Sequence, residues 1–317
     1  MLVPFISDTD ASRTARKRKL ERRKGGGGKG GKGGGSSTGK GGSSGSGSSG
    51  SSGSRGTKSS VPISGSVATR KSATSYGSGG GKAITIPSGQ LFAGRTAGGG
   101  TRAQTFGGQR YGSGYPGLGN NGVAGRGFPF FFWPVVWGGA LGAGNAHYLN
   151  GREYGDERNT SRPGGPMFQA TFASNSSNST FHVIADNSTA VSLSGSITAN
   201  CSSFVSTSNS STTPSAYNST APGAPNPVQA VQYYRASSVV LTLDGYNDTA
   251  ALSDDNTTAN TPLPSSVDHN LLDCLNQTIG LAVPLINGAS SQWTHSATGM
   301  GLMGLVWTMW LLFATVA

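Results

Sequence analysis

Asparagine side chains carry the most specific chemical signal in this sequence. Ten N-x-S/T acceptors lie between positions 159 and 276, and none lies in the first 158 residues. In a secreted chain, the amide of such an asparagine accepts an N-linked glycan. The thirteen asparagines and the Ser/Thr content of this region would produce only about four such matches by chance. We therefore expect glycosylation at Asn159, Asn175, Asn178, Asn187, Asn200, Asn209, Asn218, Asn247, Asn256 and Asn276.

The chain has two cysteines, Cys201 and Cys274. In an oxidising compartment two cysteines predict one disulfide, and closing a loop of this length would contribute about 4 kcal/mol of stability. Two buried free thiols are the alternative. Neither cysteine has a second cysteine or a histidine at ligand spacing, so the sequence predicts no metal site.

No group of residues has the pattern of a catalytic site. Adjacent Asp268 and His269 would point in different directions on a helix, and the charged residues at positions 152–158 are typical of an exposed turn. Residues 34–40 fit the phosphate-binding pattern G-x-x-x-x-G-K, but Gly41 replaces the Ser or Thr that would bind magnesium. We therefore expect a non-enzymatic protein without a cofactor. The histidines are scattered at His147, His182, His269 and His295.

The last 31 residues, 287–317, have the composition of a membrane-attachment signal. Three small residues precede a polar spacer, residues 290–299, and an uncharged apolar run, residues 300–317. This order predicts replacement of the tail by a GPI anchor on Asn287, with Gly288 and Ser290 as alternative sites. The rival interpretation retains the tail as a hydrophobic helix, which would make the chain a single-pass transmembrane protein. Either way we expect the protein to pass through the secretory pathway to the cell surface, at the outer face of the plasma membrane or the cell wall.

Charge divides the chain into two parts. Residues 1–126 contain 20 Lys or Arg against three acidic residues, a net charge of +17, whereas the remainder has a net charge of −6. The Gly/Ser/Lys-rich tract at residues 25–127 has few large apolar side chains, so we expect it to be disordered. Its charge suits contact with anionic polymers, lipids or wall glycans. Nucleic-acid binding through this basic tract is the alternative, but RGG repeats are absent and no folded RNA-binding motif follows.

The start of the chain does not have the form of a signal peptide. Six apolar residues are too few for its core, so we expect the basic segment 1–24 to contain an incorrectly assigned gene start. The uncharged aromatic and glycine-rich segment 128–144 offers another route into the membrane, as a signal-anchor. Its prolines and glycines favour a different interpretation, an apolar segment that packs against the following domain. Self-association through exposed aromatic residues is a third.

The elements that must position the acceptor asparagines lie between residues 165 and 286. Alternating patterns predict strands at 167–173, 180–185 and 238–243. Helices are predicted at 187–204, at 227–234 after Pro227, and from a capping box at 265–268. A Ser/Thr/Asn/Pro-rich insert at 205–227 suits O-glycans rather than packing. We expect a small α+β domain of about three strands and three helices with one disulfide, after a largely disordered N-terminal half and before the hydrophobic C-terminal helix.

Six strings of the chain are distinctive: RKGGGGKGGKGGG, FPFFFWPVVWGG, YLNGREYGDERNTSRPGGPM, FHVIADNST, VQYYRASSVVLTLDGYND and HNLLDCLNQTI. Through them most of the chain, from about residue 23 to residue 286, resembles a group of uncharacterised fungal, basidiomycete-type, secreted or GPI-anchored surface glycoproteins. The resemblance implies a location and an architecture, namely a Gly/Ser/Lys tract, an aromatic-proline segment and a glycosylated two-cysteine domain. It implies no activity. The first 20 residues depart from the group, whose members carry a signal peptide there.

Overall fold

The computed structural model describes residues 58–63, 72–115, 122–138, 152–253 and 257–286. Its first elements are two short antiparallel hairpins. Strand β1 (Ser60–Pro62) pairs with β2 (Ser72–Thr74), and β3 (Ile84–Thr85) pairs with β4 (Thr96–Ala97). Both hairpins lie within the tract for which disorder was predicted.

A five-stranded antiparallel sheet follows. Its strands are β5 (Met167–Ala173), β6 (Thr180–Asp186), β7 (Ser211–Ala216), β8 (Ala230–Tyr234) and β9 (Val239–Leu243), in the spatial order β7-β5-β6-β9-β8. The predicted strands correspond to β5, β6 and β9, with ends that differ by at most one residue. The sheet thus contains two more strands than expected.

The two additional strands correct two predictions. The insert at 205–227 was expected not to pack, yet β7 lies within it and pairs with β5 at the edge of the sheet. A helix was expected at 227–234, but a single 3-10 turn, Pro227–Gln229, leads directly into β8. Proline begins that turn as expected, and pairing with β9 then outweighs the local helix signal because it buries both tyrosines of β8.

Two α-helices, rather than three, are found in the described part of the chain. Helix α1 (Asn187–Cys201) and helix α2 (His269–Ala282) pack against each other, and α1 also packs against β5, β6 and β7. Each begins directly after an aspartate that accepts backbone N–H groups of its first turn, Asp186 for α1 and Asp268 for α2. A disulfide joins Cys201 to Cys274, with 5.9 Å between the Cα atoms, so the predicted link between the helices is confirmed.

Part of the glycine-rich tract belongs to the folded domain. Residues 72–115 and 122–127 place Ile86, Ala97, Tyr111 and other side chains in the hydrophobic core, so the prediction of disorder across 25–127 is wrong for these residues. Their glycines allow backbones to approach closely. Gly112 has φ +88°, and a Cβ there would lie 2.4 Å from a backbone oxygen of the neighbouring segment. Residues 25–57, 64–71 and 116–121 lie outside the described part.

The aromatic segment 128–144 is described as far as residue 138, and it forms no helix there. Phe128, Phe132, Trp133 and Trp137 are buried in the core of the domain, which agrees with the packing interpretation. Backbone hydrogen bonds attach the segment to the glycine-rich tract. Gly98 N donates to the Phe128 carbonyl at 2.9 Å, and Gly100 N donates to the Pro129 carbonyl at 2.8 Å. Residues 139–144 lie outside the described part.

No helix among the described residues is both long enough and apolar enough to cross a bilayer. The predicted hydrophobic C-terminal helix and residues 1–24 fall outside those residues.

Candidate functional site

The acceptor asparagines lie outside the core wherever the structure describes them. Nine of the ten are described, and none of these nine is buried. Surface positions of this kind suit N-glycans, which are bulky and solvated. Asn256 lies outside the described residues. Four of the nine are exposed, Asn175, Asn178, Asn209 and Asn247; five are partly exposed, Asn159, Asn187, Asn200, Asn218 and Asn276.

Local hydrogen bonds leave the glycan-accepting nitrogen of several of these side chains available. The Oδ1 atoms of Asn159 and Asn218 accept backbone N–H groups two residues further on, at 2.9 and 3.1 Å, as in an Asx turn. The Oδ1 atom of Asn276 accepts from the Tyr234 hydroxyl at 2.9 Å. Asn175 differs, because its Nδ2 donates to a backbone carbonyl at 2.8 Å. Since Nδ2 has two hydrogens, a glycan on Asn175 would still leave one for this bond.

An open groove of about 600 Å³ runs beside α1. One wall is α1 itself, and the other is formed by β1, the residue before it and Tyr76. Two acceptor asparagines, Asn187 and Asn200, line the groove, one at the first and one near the last residue of α1. Val191 lies between them and is 55% exposed, one of three large hydrophobic side chains with high exposure in the described residues.

A hydroxyl, an imidazole and a carboxylate form a chain on the main sheet. Thr171 and His182 are cross-strand neighbours on β5 and β6, with Oγ1 3.0 Å from Nδ1. The Nε2 atom of His182 lies 3.0 Å from Oδ1 of Asp244, which follows β9. This is the order of groups in a nucleophilic triad. None of the three residues lines the groove beside α1, and the bonds link neighbouring strands as a polar cross-strand pair does.

Asp186 and Arg235 form a buried ion pair, with side chains 4% and 0% exposed. Arg235 Nη2 donates to Asp186 Oδ2 at 2.7 Å, and Arg235 is fully buried. Its other donors contact Ser238 Oγ at 2.7 Å and the Pro284 carbonyl at 2.9 Å, and the Phe132 ring lies 3.5 Å from its Cζ. Burial lowers the pKa of Arg235 to about 10, and the Asp186 carboxylate opposes that shift. Because these donors point at protein atoms, we interpret the pair as structural.

The turn that contains Arg235 is strained. Arg235, Ala236 and Ser237 have φ values of 50°, 48° and 61°, a conformation that non-glycine residues rarely adopt. The described part of the Gly/Ser/Lys-rich tract holds this turn through hydrogen bonds. Arg235 N donates to the Thr105 carbonyl at 2.7 Å, and Gly112 N donates to Ser237 Oγ at 2.9 Å. The described part of the tract therefore stabilises the connection between β8 and β9.

The charged segment 152–158 is only partly the exposed turn that the sequence predicts. Asp156 and Arg158 are exposed, but Glu157 is buried and accepts from the Ser219 backbone N–H at 3.1 Å. Glu153 forms an ion pair with Arg95. Both partners are distant in sequence, so local pattern could not reveal them. The side chain of Arg152 lies outside the described part.

Other predicted site residues also fall outside the described part of the chain. They are His147, His295, the G-x-x-x-x-G-K match at 34–40 and the attachment candidates Asn287, Gly288 and Ser290. His269 is described, and it is exposed as the first residue of α2. Among the described residues, no three His, Cys, Asp or Glu side chains lie close enough together to hold a metal ion.

Comparison of the chain with protein-family models, with curated proteins and with solved structures gives no match.

Proposed function

We propose that the protein is a non-enzymatic cell-surface glycoprotein, a cationic arm on a small extracellular domain that is GPI-anchored to the membrane or cell wall. The observation that carries the proposal is the distribution of acceptor asparagines. All ten lie in the C-terminal part of the chain, and the nine described ones are outside the core of one disulfide-linked domain. Disulfides persist in the same compartments in which N-glycans are added, so the two features support each other.

Attachment to the membrane is proposed from residues 287–317. Small residues, a polar spacer and an apolar run follow the described domain in the order of a GPI signal, with Asn287 as the attachment site. The basic part of the chain, residues 1–126 with 20 of the 24 Lys and Arg residues, would contact anionic polymers, wall glycans or lipid headgroups through charge alone.

Treatment with peptide N-glycosidase tests the glycoprotein assignment. Protein secreted from eukaryotic cells should lose many kilodaltons of apparent mass, and mass spectrometry should find aspartate in place of asparagine at the occupied sites. The exposed Asn175, Asn209 and Asn247 are expected among them. Protein made in bacteria serves as the control, because it should not shift. An unchanged mobility of the eukaryotic protein would contradict an extracellular location.

The apolar tail also favours a second candidate, a single-pass membrane protein that retains residues 300–317. Phosphatidylinositol-specific phospholipase separates the two candidates. Release of the protein from intact cells supports the GPI anchor, whereas retention together with an intact C-terminal peptide ending at Ala317 supports the transmembrane form.

A further inference from the structure

The groove beside α1 has an unusual lining. The wall formed by α1 consists of two rows of residues spaced by four, Val191, Gly195 and Ala199 beside Ser192 and Ser196, on one face of the helix. None of these residues has a large side chain. A Cβ added at Gly195 would meet no atom within 4 Å, so the centre of this wall is open.

The opposite wall is attached to this helix. Ser75 Oγ lies 2.9 Å from Ser192 Oγ, and the backbone N–H of Ser75 donates to the Ser59 carbonyl at 2.9 Å. Val61, Pro62 and Tyr76 contribute apolar surface to this wall. The groove is therefore held open between two connected elements.

The chemistry of the lining selects a class of ligand. Among the described residues that line the groove there is no Lys, Arg, Asp or Glu, so they offer a charged ligand no ionic partner. Serine hydroxyls and asparagine amides alternate with Val191, Val61, Pro62 and Tyr76. Such a surface offers hydrogen bonds together with apolar contact, which matches the hydroxyls and the apolar ring faces of a neutral sugar. A volume of about 600 Å³ lies within the range of small-molecule sites.

The two ends of the groove coincide with predicted attachment points. Asn187 and Asn200 are both part of the lining, and along α1 they are about 20 Å apart, from a rise of 1.5 Å per residue. A glycan on either asparagine would be tethered at the groove. Tethering gives an effective concentration in the millimolar range, so weak contacts suffice to keep the first sugars bound.

We propose that the groove binds the first sugars of this protein's own N-glycans, which enter from Asn187 at one end and from Asn200 at the other. The proposal rests on the glycosylation proposed above. It accounts for the exposed Val191, which the sugars would cover. A folded-back glycan would also brace β1 against α1.

Site-resolved deglycosylation of the native, full-length protein tests this proposal. High-mannose protein secreted from eukaryotic cells is treated with endoglycosidase H, and mass spectrometry follows each site. The glycans on Asn187 and Asn200 should be cleaved roughly tenfold more slowly than the glycan on exposed Asn247, if about nine-tenths of each lie in the groove. After denaturation the rates should become equal.

A groove-filling variant supplies the second measurement. Gly195→Trp should accelerate cleavage at Asn187 and Asn200 to the rate at Asn247. The matched control is Thr198→Trp, an exposed position of the same helix that does not line the groove, and it should leave the slow rates unchanged. Should Gly195→Trp not be secreted, Asn159 and Asn218 supply the comparison, because they are also partly exposed but do not line the groove; glycans there should be cleaved as fast as the glycan on Asn247.

The outcomes separate this proposal from the glycoprotein assignment. Absence of glycans at every site refutes the proposed function itself. Glycans at other sites, combined with empty Asn187 and Asn200 or with cleavage there as fast as at Asn247, leave the glycoprotein assignment intact and overturn the groove proposal. The groove would then belong to another occupant, such as residues 64–71 or a second copy of the chain. Slow cleavage at one of the two asparagines, abolished by Gly195→Trp, supports the proposal and identifies the end that is used.

Discussion

Replacement of Asp186 by asparagine tests how the fully buried charge of Arg235 is held. Asparagine has nearly the same size, and its Oδ1 can still accept the backbone N–H of Thr189, which is 2.9 Å from Asp186 Oδ1. The other oxygen accepts from Arg235 Nη2 and from the Thr189 hydroxyl, both at 2.7 Å. In Asp186→Asn an amide NH₂ group takes its place, so that donors face donors and the buried cation loses its counter-charge.

The expected cost follows from these contacts. Removal of one partner of a buried ion pair costs about 3–5 kcal/mol. Arg235 would keep its bonds to Ser238 and Pro284 and its contact with Phe132, so we expect the lower limit, about 3 kcal/mol. For a domain of this size, such a loss corresponds to a fall in Tm of about 6 to 12 °C.

Urea denaturation of the disulfide-intact protein measures this loss, and Asp268→Asn is the matched control. Asp268 also caps a helix, and it accepts hydrogen bonds from Ser174 and Ser176 at 2.6 and 2.8 Å, but it forms no ion pair with an arginine. Its replacement should cost about 1 kcal/mol. Adding Arg235→Met to Asp186→Asn should recover part of the loss, since the unpaired cation is then gone. Equal losses in the two aspartate variants would refute the role assigned to the buried charge.

Three further results are expected. Serine at both Cys201 and Cys274 should lower the free energy of unfolding by about 4 kcal/mol, as measured in urea, and an unchanged value would show that the link constrains nothing in the unfolded chain. Burial alone would raise the pKa of Asp268, but four hydrogen bonds outweigh burial and hold the pKa below its ordinary value. The stabilisation from Asp268 is therefore present above the unfolded pKa of about 3.9 and is lost as pH falls through the folded pKa. Asp268→Asn should accordingly reduce the loss of stability at acid pH, and parallel stability–pH curves for the two proteins would contradict this. Gly112→Ala should destabilise the domain by clearly more than the control Gly125→Ala. Both glycines have positive φ, but only at Gly112 would the added Cβ meet a backbone oxygen. Equal melting temperatures of the two variants would show that the close backbone approach at Gly112 does not matter for stability.

Sequence periodicity was sufficient where an element buries one regular stripe. Leu193, Ile197 and Cys201 recur along α1 and are buried, and the alternating pattern of β5 predicts its bounds. The polar segment of β7 offers no such signal. Its burial pattern is mostly exposed, and it becomes a strand because the edge of β5 is available for pairing. Edge pairing of this kind depends on a partner distant in sequence, which a local pattern does not reveal.

The folded part of the glycine-rich tract could not be predicted from composition. Composition counts apolar residues within the tract, and by that measure Ile86, Ala97 and Tyr111 are too sparse for a core. They are buried because the aromatic segment 128–138 and the main sheet supply the other surface. A similar limit applies to the site. Acceptor motifs consist of three consecutive residues and can be found in the sequence. The groove, in contrast, lies between β1 and α1, which are more than a hundred residues apart in the chain.

The distribution of acceptors also divides the surface of the domain. Every described acceptor lies between residues 159 and 276, and the described residues 58–138 contain none. Glycans on residues 159–276 would keep other macromolecules away from the surface that these residues form. Residues 58–138 overlap the basic part of the chain, and Lys58 and Lys82 are exposed among them. We therefore expect the proposed contact with anionic polymers at residues 58–138 rather than at residues 159–276, because glycans would not cover the former.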